Sequence, residues 1–534
     1  MSGYLIRSRP PAGTAGTLNI VRDPDVLASR LEDAAHYPGG RTTALIIPTS
    51  EAEVAAALRA SRKALPIGAQ SSLTGGATPM GEILISTARL DRIESIDGNL
   101  VRVQAGVTLG ELDEVLARKG LYYPPIPTFD GAFVGGAIAT NASGAATFKY
   151  GSTRDWVEAI TVVLPSGDVL DIQRGETLAH SDGFFEIQLP NNRVRIPVPT
   201  YFMPDVAKLS AGYFAEHEMD LIDLFIGAEG TLGIVTAATL RVETVRPSMC
   251  YLLIPFRQRH AAMDFAHRAR QVTMETWDKG DPRGINVSGI EHMDARSLAI
   301  IREDQLDRRF GVALPPDSAM ALLVMLELPP GVTAEQAFAQ IGQAHEDFAP
   351  DSELARFCRL LSEHAVFDDA EIAVPGDAAR ADQLIAIREG VPTGVNARVG
   401  RAKQEDERIS KTAGDVVVPF EQVEHMTIAI ESEFARRGLD VAVWGHISDG
   451  NLHPNLIPRS YADVEAGRAA ILAVGREAIR LGGAPLAEHG VGRNPIKQQL
   501  LKELYGEKGI EEMKAVRRAI DPEEKMSPGV LFPL

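Results

Sequence analysis

The 534-residue sequence predicts an α+β protein of two or three domains. Three observations predict it. Strand-like and helix-like runs alternate, but their connections vary in length, which favours sheets covered on one side by helices. Apolar residues make up 45% and charged residues 24%, enough apolar material for a sizeable core in a globular chain. No apolar run reaches about 18 residues, the length that a membrane-crossing helix needs.

Residues 1–22 carry Arg7, Arg9 and Arg22 and no acid, and they lack the apolar stretch of a secretory signal. They read as an arm before the first domain in a cytoplasmic protein, with a short organelle transit peptide left open. Residues 44–47 form an apolar strand. Residues 50–62 form a helix, capped by Ser50, with acids in its first turn and Val54, Ala57 and Leu58 along one side. Buried strands follow at 65–67 and 83–85, then a strand at 101–104 and a helix at 108–118. Residues 158–164 and 169–172 flank Pro165-Ser-Gly-Asp168, a hairpin turn. Residues 234–242 are β-branched and apolar, hence a strand.

A second unit begins near Tyr251, with strands at 251–255, 285–290 and 321–328 and helices at 260–271 and 333–345. Residues 294–316 are dense in charge and read as loops or a surface helix. Residues 463–481 and 511–520 read as helices, and the proline-bearing stretch 521–534 as extended chain. The domain expectation is 1–245, 246–485 and 486–534, the last returning to the first. The net charge of -18 argues against a nucleic-acid partner. Cys250 and Cys358 are too few and too far apart for a disulfide framework and read as small buried hydrophobes.

Three glycine-rich stretches lie in the first 235 residues. The first runs from Pro66 to Ala77, includes Gly68, Ala69, Gln70, Ser71, Ser72, Leu73 and Thr74, and sits between two predicted strands. Small residues let successive backbone N–H groups converge on an anion, and hydroxyls add donors, as a pyrophosphate requires. The second runs Gly135-Gly-Ala-Ile-Ala-Thr-Asn-Ala-Ser-Gly144 and the third Gly227-Ala-Glu-Gly-Thr-Leu-Gly233. Any one alone would read as a tight turn. Together they point to a long phosphate-bearing ligand. No dinucleotide fingerprint opening a helix and no Walker A sequence occurs.

The strongest chemical signal is Gly445-His-Ile-Ser-Asp-Gly-Asn-Leu-His-Pro-Asn455. A strand, a turn at Asp449-Gly-Asn451 and a returning strand would bring His446 and His453 to one point. Ala487-Glu-His-Gly-Val-Gly492 adds Glu488 and His489. Each histidine alone would read as a satisfied core or surface residue. Three of the 12 histidines falling in two short glycine-rich segments beside an acid favour a divalent metal: zinc first, with manganese or iron(II) open.

These phrases resemble a known family. The glycine-rich stretches are similar to the FAD-binding domain of the vanillyl-alcohol-oxidase/p-cresol-methylhydroxylase flavoproteins, over nearly the whole chain. The resemblance implies a two-part FAD-binding domain plus a cap with an antiparallel sheet covered by helices. It implies that residues Gly68 to Thr74 cradle the FAD pyrophosphate, with Pro66 also at the cofactor. Gly135, Gly136, Thr140, Asn141 and Gly144 would lie along the flavin and ribityl chain, and Glu229, Gly230 and Ile234 near the adenine half or the ring. This chain has Ala69-Gln70 where the first loop often has Gly-Gly. No histidine for covalent attachment is evident, so noncovalent FAD is expected.

The histidine segments resemble the D-2-hydroxyglutarate, D-lactate and glycolate dehydrogenase subgroup. That implies His446, His453 and Glu488 as metal ligands, His489 as general base and Asn455 as a substrate contact. Arg388 and Lys411 match the subgroup's substrate-carboxylate cations, although on their own they read as an exposed helix arginine and a solvated loop lysine. Arg398, Arg401, Lys403 and Arg408 offer other cations between them, and Pro392 stands where a hydroxyl residue is often found. The expected reaction is oxidation of a D-2-hydroxy acid to the 2-oxo acid, with electrons passed to a separate acceptor: an electron-transfer flavoprotein, a quinone or a cytochrome. An oxygen-using oxidase, a non-redox transferase resembling alkyl-dihydroxyacetonephosphate synthase and a non-catalytic flavoprotein stay open, as does a homodimer.

Overall fold

The computed structural model describes residues 3–125, 129–346 and 351–533. The chain divides into two units, Met1–Gly144 with Gly151–Thr244 and Ala484–Leu534, and Ala145–Tyr150 with Val245–Gly483.

The first unit holds a four-stranded sheet in the order Ile20–Val21, Leu45–Ile46, Ile83–Ser86, Ala64–Ile67, the last three mutually parallel. A parallel pair needs a crossover, and the helix Glu51–Ala60 supplies it between Leu45–Ile46 and Ala64–Ile67. Ser50 caps that helix, its hydroxyl accepting the Glu53 N–H at 3.3 Å. Val54, Ala55, Ala57 and Leu58 form one core with Ile46, Ile85, Val163 and Ile234. Truncating a side chain such as Leu58 there costs about 2–5 kcal/mol. A five-stranded antiparallel sheet follows in the order Val169–Gln173, Val157–Val163, Ile234–Arg241, Leu100–Gln104, Ile93–Asp97. The free edge of Ala64–Ile67 is bridged from far along the chain. Ala64 N–H donates to the Lys525 carbonyl at 2.9 Å, and Ser527 N–H donates to the Ala64 carbonyl at 2.8 Å.

The second unit is built on a seven-stranded antiparallel sheet ordered Glu371–Ala373, Ser248–Phe256, Met320–Leu328, Val287–Asp294, Val441–His446, Asn451–Leu456, Val416–Val417. The helices Ala295–Glu303 and Ala378–Glu405 pack on it through Leu298, Ile301, Leu384, Ile387 and Val391. The antiparallel sheet with helical cover that the motifs implied is therefore present.

Three local expectations need correction. Residues 294–316 are not a surface region throughout. Asp294 ends a fully buried strand and caps the helix Ala295–Glu303, accepting the Ser297 N–H at 2.7 Å, while Leu298, Ile300 and Ile301 are buried. The surrounding charges mask that apolar stripe in the sequence. The last helix, Pro495–Ile520, starts well before residue 511 and kinks at Gly506, whose φ is +71°. Residues Ala145–Tyr150 belong to the second unit. Lys149 pairs with the buried Glu327, and the Tyr150 hydroxyl donates to the same carboxylate at 2.8 Å. Both cysteines are free and buried, and burial pushes each thiol up to about 12. Among the described residues no helix is long and apolar enough to cross a membrane.

Candidate functional site

In the first unit the three glycine-rich stretches meet around a cavity of about 320 Å³. Its walls include Pro66, Gly68, Ala69, Gln70, Ser71, Ser72 and Leu73 from the first stretch, Gly135, Gly136 and Thr140 from the second, and Glu229, Gly230 and Ile234 from the third. Glu488 and His489 also line it. Small side chains are what let these segments converge. A Cβ on Gly135 would fall 2.6 Å from the Ala105 Cβ, and one on Gly230, at φ +68°, 2.7 Å from the Pro66 ring.

The second stretch is not a turn but the helix Val134–Thr140, ended by Asn141 at a left-handed φ of +47°. The third stretch is pinned to that helix. Gly227 N–H donates to the Ile138 carbonyl at 2.9 Å, and Glu229 N–H to the Ala139 carbonyl at 2.8 Å. Three residues expected at the cofactor are not among the cavity walls. Thr74 is buried and its carbonyl accepts the Arg493 N–H at 3.0 Å; the Asn141 side chain accepts the Arg154 N–H at 2.9 Å; Gly144 closes its segment of the unit. A cavity with glycine cradles, hydroxyl donors and apolar walls suits an extended dinucleotide cofactor.

Glu229 hangs from the start of the last segment, its carboxylate accepting the Val491 and Gly492 N–H groups at 2.8 Å each. Burial dominates those two bonds and pushes its pKa up to about 7. Beside it, Lys208 places its ammonium 3.0 Å from Glu488, with the lysine side chain wholly buried. His489 Nε2 lies 3.5 Å from the other Glu488 oxygen. The segment carrying Lys208 is tied down by Ser210, whose N–H donates to the Leu486 carbonyl at 3.3 Å and whose hydroxyl donates to the Thr140 carbonyl at 2.9 Å. Lys208 lies 280 positions from its partner, and no local pattern announces the pair.

In the second unit, Val441–His446 and Asn451–Leu456 form the expected hairpin. Gly450, at φ +82°, is required at its turn, because a Cβ there would lie 2.0 Å from the Val418 carbonyl oxygen. The hairpin sets the His446 and His453 rings 5.6 Å apart at 89°. Each ring has a buried carboxylate at its Nδ1: Glu291 at 3.1 Å from His446 and Asp415 at 3.5 Å from His453. A carboxylate there favours the Nδ1–H tautomer, which leaves the Nε2 lone pair for a ligand. Asn451 donates to Asp415 at 3.2 Å, and Arg388 reaches Glu291 through Nε at 3.1 Å and a terminal nitrogen at 3.0 Å. Arg388 is thus a buried residue of this network rather than an exposed helix arginine. His292, adjacent to Glu291, donates from Nδ1 to the Gly445 carbonyl at 3.1 Å, and burial pushes its pKa down to about 4. Asn455 is buried and donates to the His453 carbonyl at 3.0 Å, while its side-chain oxygen has no hydrogen-bond partner among the described residues. Burial lowers the Lys411 pKa. Two imidazoles, each backed by a carboxylate, are a donor set that fits a divalent ion of the zinc class.

Comparison with known proteins follows this division. Residues 42–173 match the model of an FAD binding domain, and residues 247–531 match that of the C-terminal domain of FAD linked oxidases. The chain belongs to the FAD-linked oxidase family. It is an FAD-linked oxidoreductase with the fold of the vanillyl-alcohol-oxidase/p-cresol-methylhydroxylase flavoproteins. A D-lactate dehydrogenase of Anaerostipes hadrus is 27% identical over 93% of this chain and 91% of its own. A D-2-hydroxyglutarate dehydrogenase of Xanthomonas citri pv. viticola is 28% identical over 92% and 89%, and the glycolate oxidase subunit GlcD of Bacillus subtilis 29% identical over 88% and 83%. Among solved structures, a 4-ethylphenol oxidase of Gulosibacter chungangensis matches the fold with a TM-score of 0.64 at 14% identity, over 98% of this chain and 99% of that one.

Proposed function

We propose that this FAD-linked oxidoreductase oxidises a D-2-hydroxy acid to the 2-oxo acid with the help of a divalent metal, and passes the electrons to a separate acceptor. The observation that carries the reading is the hairpin pair His446 and His453, each with a carboxylate behind its Nδ1. The relatives named as D-lactate and D-2-hydroxyglutarate dehydrogenases support the substrate class.

In this reading His446, His453 and Glu488 hold the metal. Bound FAD supplies the two-electron acceptor, and a bound dication supplies the positive charge that makes a substrate hydroxyl more acidic. His489 accepts the hydroxyl proton at an imidazole nitrogen. Arg388, Lys411 and Asn455 hold the substrate carboxylate, the first as a planar two-point donor and the second as a point charge. Glu291, 3.1 Å from His446 Nδ1, favours a proton on that nitrogen, and Lys208 balances the charge of Glu488.

The test is anaerobic visible absorbance of the purified protein during titration with D- and L-2-hydroxy acids, before and after chelation. The expected result is loss of the oxidised-flavin bands with one D-acid, abolished by chelator and restored by a dication. Bleaching that survives chelation sinks the metal's part. A yellow protein that no acid bleaches points to the transferase chemistry instead, and steady peroxide formation in air points to an oxidase.

A further inference from the structure

We propose that Gln70 is a positioning residue for the flavin dinucleotide. Its side-chain amide straps the first glycine-rich stretch to the segment Arg30–Glu32 and holds the backbone of that stretch in its cofactor-binding shape before the cofactor arrives. The inference rests on the FAD-binding assignment of the unit, not on the substrate or the metal.

Gln70 sits at φ +57°, in the left-handed region, inside a stretch that walls the cavity. That conformation is costly for a residue with a Cβ, so something must hold it. The side chain does. Its Nε2 donates to the Arg30 carbonyl at 3.0 Å and to the Ala77 carbonyl at 3.0 Å, with the Glu32 carbonyl at 3.5 Å. A primary amide has two N–H donors, and two 3.0 Å bonds use both. All three neighbours are acceptors only, which fixes the amide with nitrogen toward them. The Gln70 carbonyl in turn accepts the Ala34 N–H at 3.0 Å. The residue is 9% exposed, so these carbonyls have little water to replace a lost donor.

The strap joins three points. Arg30 lies just after the helix Pro24–Ala28, Gln70 near the start of the stretch and Ala77 at its end, so one amide closes the stretch into a loop of fixed width. A second tie holds the segment after that helix in place, the Asp33 N–H donating to the Thr78 hydroxyl at 3.2 Å. A left-handed residue between ordinary neighbours turns successive backbone N–H groups to one side, the geometry that receives an anion. Loops already held in the bound shape lose less freedom on binding, so the strap acts on affinity.

The test uses the full chain, with FAD affinity and release rate read by flavin fluorescence and with melting of the FAD-free and FAD-bound forms. Gln70→Glu keeps the shape but turns oxygens toward carbonyls, and should raise the FAD Kd about 30-fold. Gln70→Ala should raise it about 10-fold, the equivalent of losing one to two such bonds. Gln70→Lys restores three donors and should bring Kd back to within about 3-fold of the natural protein. Faster release from an FAD-free form that still melts cooperatively, at a lowered temperature, marks positioning. If the glutamate variant fails to fold, the alanine and lysine pair decides the matter alone. A Kd that moves less than about 3-fold in the alanine variant, or lysine no better than alanine, overturns the proposal.

Discussion

The cavity of the first unit and the hairpin of the second use different parts of the amino acid. Around the cavity, in the proposed reading, backbone N–H groups would receive the cofactor, and the side chains matter by being small. Gly135, Gly136 and Gly230 contribute by what they lack. At the hairpin, in the same reading, the backbone is scaffolding, and the imidazoles of His446 and His453 would act from positions beside Glu291 and Asp415. The first kind of site is damaged by added bulk and the second by removed function, and the two should fail separately.

The largest expected effect is on the hairpin side. His453→Ala should abolish bound metal and lower turnover roughly 10⁴-fold, the equivalent of several kcal/mol of lost charge stabilisation, while the protein stays yellow. Metal analysis beside the flavin spectrum checks it, and loss of FAD together with metal would erase the distinction between the sites. Next comes His489→Gln, expected to cut turnover about 10²–10⁴-fold with flavin and metal both retained. Substrate-dependent bleaching under single-turnover conditions measures that step directly.

On the cavity side, Gly135→Val should act in the opposite sense. Its Cβ begins 2.6 Å from the Ala105 Cβ, an overpacking that costs about 1–3 kcal/mol and should appear as weaker FAD binding with the metal kept. Equilibrium dialysis of both ligands on the same sample separates the two losses. The smallest effect concerns pH. Glu229 has its folded pKa raised from 4.5 to about 7, so the folded protein binds more protons than the unfolded chain between those values. The contribution of Glu229 to stability is therefore full below about pH 4.5 and is lost as pH rises through 7. Since Glu229 lines the cavity and meets solvent there, roughly 2 kcal/mol is a fair size after screening. Urea midpoints at pH 5.5 and 8 should fall less in Glu229→Gln than in the natural protein.

The same contrast explains what could be read from sequence. Ser50 announces its helix, because a cap is a local bargain between one hydroxyl and the next turn. The hairpin around Asp449-Gly450-Asn451 was legible for the same reason, with both histidines inside one supersecondary unit. The carboxylates behind them were not. Glu291 and Asp415 reach the hairpin through neighbouring strands, so only the sheet order brings them there. Lys208 pairs with Glu488 across 280 positions, a partnership that only the fold makes. The helix Val134–Thr140 read as a glycine-rich loop, because glycine disfavours helices in isolation and tertiary contacts overrode that preference here.

The pairing of Ala64 with residues 525–527 has a meaning for biosynthesis. The strand Ala64–Ile67 leaves the ribosome well before the chain that covers its edge. At about 5–20 residues per second, synthesis of the intervening chain takes roughly half a minute to a minute and a half. During that interval the strand edge lacks the partner it has in the finished fold, while Ala145–Tyr150 and Val245–Gly483, which together make up the second unit, have already been made. The order of completion thus runs against the order of the sequence: a strand made before the second unit gains its edge partner after it.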